Sequence, residues 1–150
     1  MTDLAVLCEA AGFRAVRTYI ASGNVVFESG LSVQEAKGAL EVRLRSCTGR
    51  SVGVVMRTAA EMAEVVAHNP FPDAPGNRVV AIFLDHATSP STLDGVSGQG
   101  GDEAIRLGYR EIYVRHGAGM GRSRLRIPAA EAGTARNMNT VAKLAAMAAE

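Results

Sequence analysis

The sequence predicts an α+β fold. Short apolar strands meet across tight turns, capped amphipathic helices stand between them, and the strands come as hairpins rather than as β-α-β crossover units. That mixed succession argues against a doubly wound parallel sheet.

Thr2 or Asp3 can cap a first helix, whose Leu4, Leu7, Cys8 and Ala11 recur at i, i+3, i+4 and i+7. Gly12 ends it, since glycine adopts the left-handed C′ conformation cheaply. Phe13 to Ile20 read as a strand, Ala21-Ser22-Gly23-Asn24 as a turn, and Val25-Val26-Phe27 as the returning strand. Ser32-x-x-Glu35 is a capping box opening a second helix, with Ala36, Leu40, Leu44 and Cys47 inward and Gly49 as its stop. Val52 to Met56 read as a strand. Thr58-x-x-Glu61 is a second capping box, and Met62, Val65 and Val66 mark the apolar side of a third helix. Asn69-Pro70 terminates it, because the residue before proline is pushed out of the α region.

Val79 to Leu84 is a continuous apolar run, expected as a buried strand. Residues 85–101, rich in Ser, Thr, Pro and Gly, read as a loop with room for a short helix. Ala104 to Leu107 and Glu111 to Val114 form a second hairpin across Gly108-Tyr109-Arg110, and Gly117 to Arg126 a glycine- and arginine-rich loop. The last helix runs from about Thr140, with Val141, Leu144, Ala145 and Ala148 along one face.

A chain of 150 residues suits one domain or two small lobes, and can fold without a metal or disulfide. Its content of 47% hydrophobic and 21% charged residues excludes disorder for the chain as a whole. A net charge of +1 gives no general argument for polyanions, but the sign is uneven. Residues 1–100 carry eight Lys/Arg against ten Asp/Glu, and residues 101–150 eight against five. Cys8 and Cys47 lack CxxC pairing and read as core positions. His68, His86 and His116 lack metal-ligand spacing, so no metal or cofactor is expected. Few aromatics and no Trp disfavour a stacking platform for nucleic acid. With no basic leader before an apolar run and no membrane-length apolar stretch, the chain reads as cytoplasmic and not membrane-bound.

No catalytic constellation is legible. The strongest candidate site is the block Thr134-Ala-Arg-Asn-Met-Asn-Thr-Val-Ala-Lys143. Asn137 or Asn139 can cap the last helix, with Arg136 just before it and Lys143 one turn in, a combination that suits phosphate or carboxylate. The competing explanation is capping plus surface solvation. In the loop Gly117-Ala-Gly-Met-Gly-Arg-Ser-Arg-Leu-Arg126, arginines 122, 124 and 126 can offer bidentate donors, or can line the solvent side of an edge strand. Ser22-Gly23-Asn24 offers a hydroxyl and an amide at a hairpin tip, though turns favour these residues anyway.

Thr18-Tyr-Ile-Ala-Ser-Gly-Asn-Val-Val-Phe27, Asn69-Pro-Phe71, Gly121-Arg-Ser-Arg-Leu125 and Thr134-Ala-Arg-Asn-Met-Asn-Thr140 occur in order. With these motifs the chain closely resembles, over essentially its whole length, the bacterial family of uncharacterised proteins called domain of unknown function family 1697. The resemblance implies a ferredoxin-like first lobe, over residues 1–57, and a smaller α+β lobe over 58–150. It implies no activity. Ser22, Gly23, Asn24, Asn69, Arg136, Asn137, Asn139, Thr140 and Lys143 match family motif positions, and Met138 stands where the family usually has tryptophan.

Family members begin with an apolar strand and an Arg-Gly-Ile-Asn-Val-Gly-Gly-like loop, whereas here the sequence opens on the first helix. The expectation is therefore a start assigned too late, or a strand supplied by a partner or by other residues. The functional expectation is a small binding protein for a phosphorylated or carboxylate ligand, using Asn69, Arg122, Arg136, Asn137, Asn139, Thr140 and Lys143 with the turn at 22–24. The alternatives are a homodimeric interaction module joined through a sheet edge, and an enzyme acting on such a ligand through Ser22, Ser123 or Lys143.

Overall fold

The structure is a computed structural model and describes residues 2–19, 24–49, 54–101, 103–117 and 124–149. In chain order the elements are α1 (Thr2–Ala10), β1 (Arg14–Tyr19), β2 (Asn24–Glu28), α2 (Val33–Thr48), α3 (Ala59–Ala67), β3 (Val79–Phe83), β4 (Ala104–Leu107), β5 (Glu111–Arg115), β6 (Thr134–Asn137) and α4 (Met138–Ala148). Short 3₁₀ turns occupy Gly76–Arg78, Pro90–Leu93 and Pro128–Ala132. The fold is α+β, and the chain divides into two units, Met1–Ala60 with Leu144–Glu150, and Glu61–Lys143.

In the first unit, glycine ends both leading helices. Gly12 sits at φ +89°, and a Schellman pair closes α1: Phe13 N donates to Cys8 O at 3.1 Å and Gly12 N to Glu9 O at 3.0 Å. Gly49, at φ +76°, returns its N–H to Arg45 O at 2.8 Å. The Ser32–Glu35 capping box is present in full. β1 and β2 pair antiparallel with Tyr19 opposite Asn24, and the register slips between Arg14 and Arg17, where Ala15 takes φ +50°. Cys8, Phe13, Ala36 and Leu40 form the core, with Val25, Phe27, Leu44, Val54 and Met56 packed against it. The rings of Phe13 and Phe27 stack at 4.0 Å and 5°, an arrangement adding about 1 kcal/mol beyond burial. The last turn of α4 belongs to this unit, and Arg17 Nη2 donates to Met147 O at 2.6 Å.

Two expectations need correction here. No strand forms over residues 54–58, although Val54 and Met56 do reach the core; residues 52 and 53 lie outside the described residues. Their apolar alternation reads as a strand, but a strand also needs a partner for its backbone. Cys47 is exposed rather than inward. A 3.6-residue period keeps it on the face that Ala36, Leu40 and Leu44 share, but it stands in the last turn of α2, past the residues that pack on this core.

In the second unit, four antiparallel strands run in the order β4-β5-β3-β6. The apolar run of β3 is central and buried, as is β5. Residues opposite one another share a side of the sheet. One row therefore crosses all four strands as Arg106, Tyr113, Ala81 and Arg136. Behind that row, Ile82, Leu84, Ile112, Val114 and Ile127 make a separate buried cluster, covered by Leu93, Val96 and Leu125. Each such side chain contributes roughly 1.5–3 kcal/mol by leaving water. On the Tyr113 side, α3 buries Met62 and Val65, and Tyr113 Oη donates to Val65 O at 2.8 Å. The helix stops at Ala67, just before Asn69-Pro70.

The expected last helix also changes. It begins at Met138 rather than about Thr140, and Thr134–Asn137, given no element from the sequence, is an edge strand paired with Val80–Phe83. Four mixed residues show no periodicity of their own; the neighbouring strand creates this one.

Candidate functional site

The junction of β6 with α4 carries half of the residues expected to bind a ligand. Asn137 ends the strand and caps the helix, its Oδ1 accepting Thr140 N at 3.0 Å. Thr140 is buried, and so are Met138 and Val141 beside it. Asn139 and Lys143 are exposed. Four residues apart, they stand one above the other on the outer side of the first two turns. The pleat of β6 sends Arg136 to the opposite side of the sheet from Asn137. There Arg136 is half-buried, and its Nη1 donates to Ala135 O at 2.8 Å. Lys143 makes no ion pair among the described residues.

A second segment meets this junction. Gly76 lies against Asn139 so closely that a β-carbon on it would collide with Oδ1 and stand 2.9 Å from Cγ. The chain between α3 and β3 thus passes at backbone distance from the start of α4. Earlier in that segment, Asn69 Oδ1 accepts Phe71 N at 2.9 Å, and Ala74 N donates to Phe71 O at 3.1 Å. Asn69 therefore shapes the turn that presents Phe71.

Phe71 is where sequence reasoning stopped short. The guanidinium of Arg115 lies 5.6 Å from its ring centroid and that of Arg106 lies 6.0 Å away. The register explains how both arrive. Ala104 faces Arg115 and Arg106 faces Tyr113, so the two arginines are diagonal neighbours on one side of the hairpin. A signal for the arginine pair existed, because the hairpin across Gly108-Tyr109-Arg110 sets that register. Nothing in the sequence brings Phe71 to it.

The remaining expected residues fall elsewhere. Asn24 belongs to the first unit; it is buried, and its Nδ2 donates to Tyr19 O at 3.2 Å, bracing the hairpin. Ser22, Gly23, Arg122 and Ser123 lie outside the described residues. In the glycine- and arginine-rich loop, Arg126 exchanges both backbone hydrogen bonds with Ser97 and meets Glu131 at 3.4 Å on the surface. His116 pairs with Glu103, while His68 and His86 are exposed. Among the described residues no three His, Cys, Asp or Glu side chains gather as metal ligands, and no helix is long and apolar enough to cross a membrane.

Helices and antiparallel sheets in two units, with a capped helix start and a cationic hairpin, define an α+β protein. The chain belongs to the family described as protein of unknown function DUF1697, whose model matches residues 1–113. The match includes Asn69, Phe71 and Arg106 and stops short of Arg115 and the β6–α4 junction. A conserved bacterial protein from Streptococcus pneumoniae has a similar structure, with a TM-score of 0.82 at 18% identity over 100% of this chain and 89% of that one. At that identity the likeness shows the fold. No curated protein matches the chain.

Proposed function

We propose that the chain is a small cytoplasmic binding protein for a phosphorylated or carboxylate ligand, received at the N-terminal end of α4. The observation that carries this reading is the pairing of exposed Asn139 and Lys143 over a helix start capped by Asn137. Early backbone N–H groups and the positive end of the helix dipole favour an anion there, and Lys143 supplies a mobile charge. Gly76 adds close backbone on the same side, and the basic balance of residues 101–150 favours approach of an anion. Thr140, whose N–H donates to Asn137 Oδ1, completes the cap at this site.

Thermal unfolding in the presence of nucleotides, sugar phosphates and small carboxylates tests the reading. A ligand at about a hundredfold over its Kd stabilises by about 2.7 kcal/mol, which raises Tm by several degrees. Lys143→Met is expected to remove that rise. No response to any of these compounds in the parent chain would sink the proposal.

A second reading follows from the sheet. β4 and β6 each pair on one side only among the described residues, so either outer edge can accept a strand from a second copy. A monomer by light scattering at high protein concentration rules that out.

A further inference from the structure

We infer that Arg106 and Arg115, gathered over Phe71, form a phosphate-binding site separate from the start of α4. Both guanidiniums lie within 6.0 Å of one ring centroid, so their separation cannot exceed what those two distances together allow. The ring attracts each cation, while the β4–β5 register makes the two like charges diagonal neighbours on one side of the hairpin.

No carboxylate among the described residues neutralises them. Glu103 is committed to His116 at 2.7 Å, and Glu61 to Arg110 at 3.4 Å. Glu111 shares the arginines' side of the sheet but is buried, and its Oε1 accepts Arg110 N. Tyr113, on the same row as Arg106, has its hydroxyl bound to Val65 O. Arg106 spends one N–H on Ile105 O at 2.8 Å, and Arg115 makes no hydrogen bond through its side chain among the described residues. Most of two planar donor forks thus remain for a ligand.

The geometry selects the class of anion. A carboxylate presents two oxygens in a plane and is satisfied by one fork. A phosphate dianion or monoester presents three oxygens around a tetrahedral centre and has capacity for both forks. The support is rigid where it matters: Arg115 stands on a central strand and is half-buried, and the Asn69 turn holds the backbone of Phe71. Arg106, exposed on the edge strand, is the arm free to close.

The test is a titration of the full chain with inorganic phosphate at constant ionic strength, read by the arginine Nε–H and backbone amide resonances, with acetate and chloride as controls. Saturable shifts are expected at Arg106, Arg115 and residues 69–71, absent with both controls. Arg115→Met and Arg106→Met should each weaken phosphate binding by about tenfold or more, and Lys143→Met should leave these shifts unchanged. Arg106 is exposed on an edge strand, so Arg106→Met still decides the matter if Arg115→Met fails to fold. Unsaturable shifts equal to those with chloride, or full binding retained in Arg106→Met, would overturn the inference. Loss of the α4 response alone, with the Phe71 shifts intact, would sink the proposal for α4 and leave this site standing.

Discussion

Glu103 and His116 meet at 2.7 Å between Oε2 and Nδ1, with only 6% and 13% of their side chains exposed. They stand one register step beyond the Ala104–Arg115 pair, where the β4–β5 ladder ends. Glu103 Oε1 also accepts Gly100 N at 2.7 Å, and His116 N donates to Arg78 O at 2.7 Å. One carboxylate therefore ties the chain before β4 to the end of β5. Removing it strands two donors, one on half-buried His116 and one on exposed Gly100, so Glu103→Ala should lower stability by about 1 kcal/mol. Glu103→Gln, which keeps an acceptor in place, should cost less. Urea unfolding at neutral pH measures both, and equal midpoints for Glu103→Ala and the parent chain would contradict the role.

Tyr113 supplies the pH-dependent element of the second unit. Burial, and then the charge of Glu111, push its phenol up to about 12 from an ordinary 10.0. A folded pKa above the unfolded one means that the unfolded chain releases its proton first. The associated stability is complete below pH 10 and drains away as pH rises toward 12. Tyr113→Phe should cost about 1 kcal/mol at neutral pH, because Val65 O loses its donor. The same variant should also flatten the alkaline decline. Denaturant midpoints across that window would show the decline persisting if another group causes it.

What could be read from the sequence was what depends on neighbours in the chain. The Ser32–Glu35 box, the glycine stops at 12 and 49, and the hairpin around Tyr109 each rest on contacts a few residues apart. The apolar run at Val79 announced a buried strand because burial on both faces leaves no polar alternation. Thr134–Asn137 was not readable as a strand, since only pairing with β3 makes it one. Val54 and Met56 failed in the opposite sense, having the pattern but no ladder. In the candidate site, the Asn137 cap was local and legible, whereas Phe71 reaches its arginines across more than thirty positions of chain.

Ala15 should invert the usual ranking of residues in a strand. Its φ of +50° lies in the left-handed region, at the bulge between Arg14 and Arg17. A non-glycine residue there is strained by about 1–2 kcal/mol, more than the 0.5–1 kcal/mol that glycine ordinarily costs a strand. Ala15→Gly should therefore be neutral or stabilising, by up to about 1 kcal/mol, and Ala15→Val destabilising, because a branched β-carbon tolerates this region worst. Thermal unfolding that ranks valine above alanine above glycine would show that β1 has no such bulge.

The Ser32–Glu35 box makes the stability of α2 sensitive to acid. Ser32 N donates to Glu35 Oε1 and Glu35 N to Ser32 Oγ, each at 3.1 Å. The Ser32 backbone N–H, and then its side chain, hold the Glu35 carboxyl below its ordinary value of 4.5. A depressed folded pKa contributes stability that is present above the unfolded value and is lost as pH falls through the folded one. Ser32→Ala removes the cap and should cost about 1 kcal/mol at neutral pH. Glu35→Gln separates the two parts of the box. It retains an oxygen for Ser32 N, so neutral stability should nearly hold, while the proton-linked loss below about pH 5 disappears. Parallel urea titrations of the three proteins from neutral pH to about pH 3 decide this: an acid slope in Glu35→Gln as steep as in the parent would assign the acid sensitivity to other carboxylates.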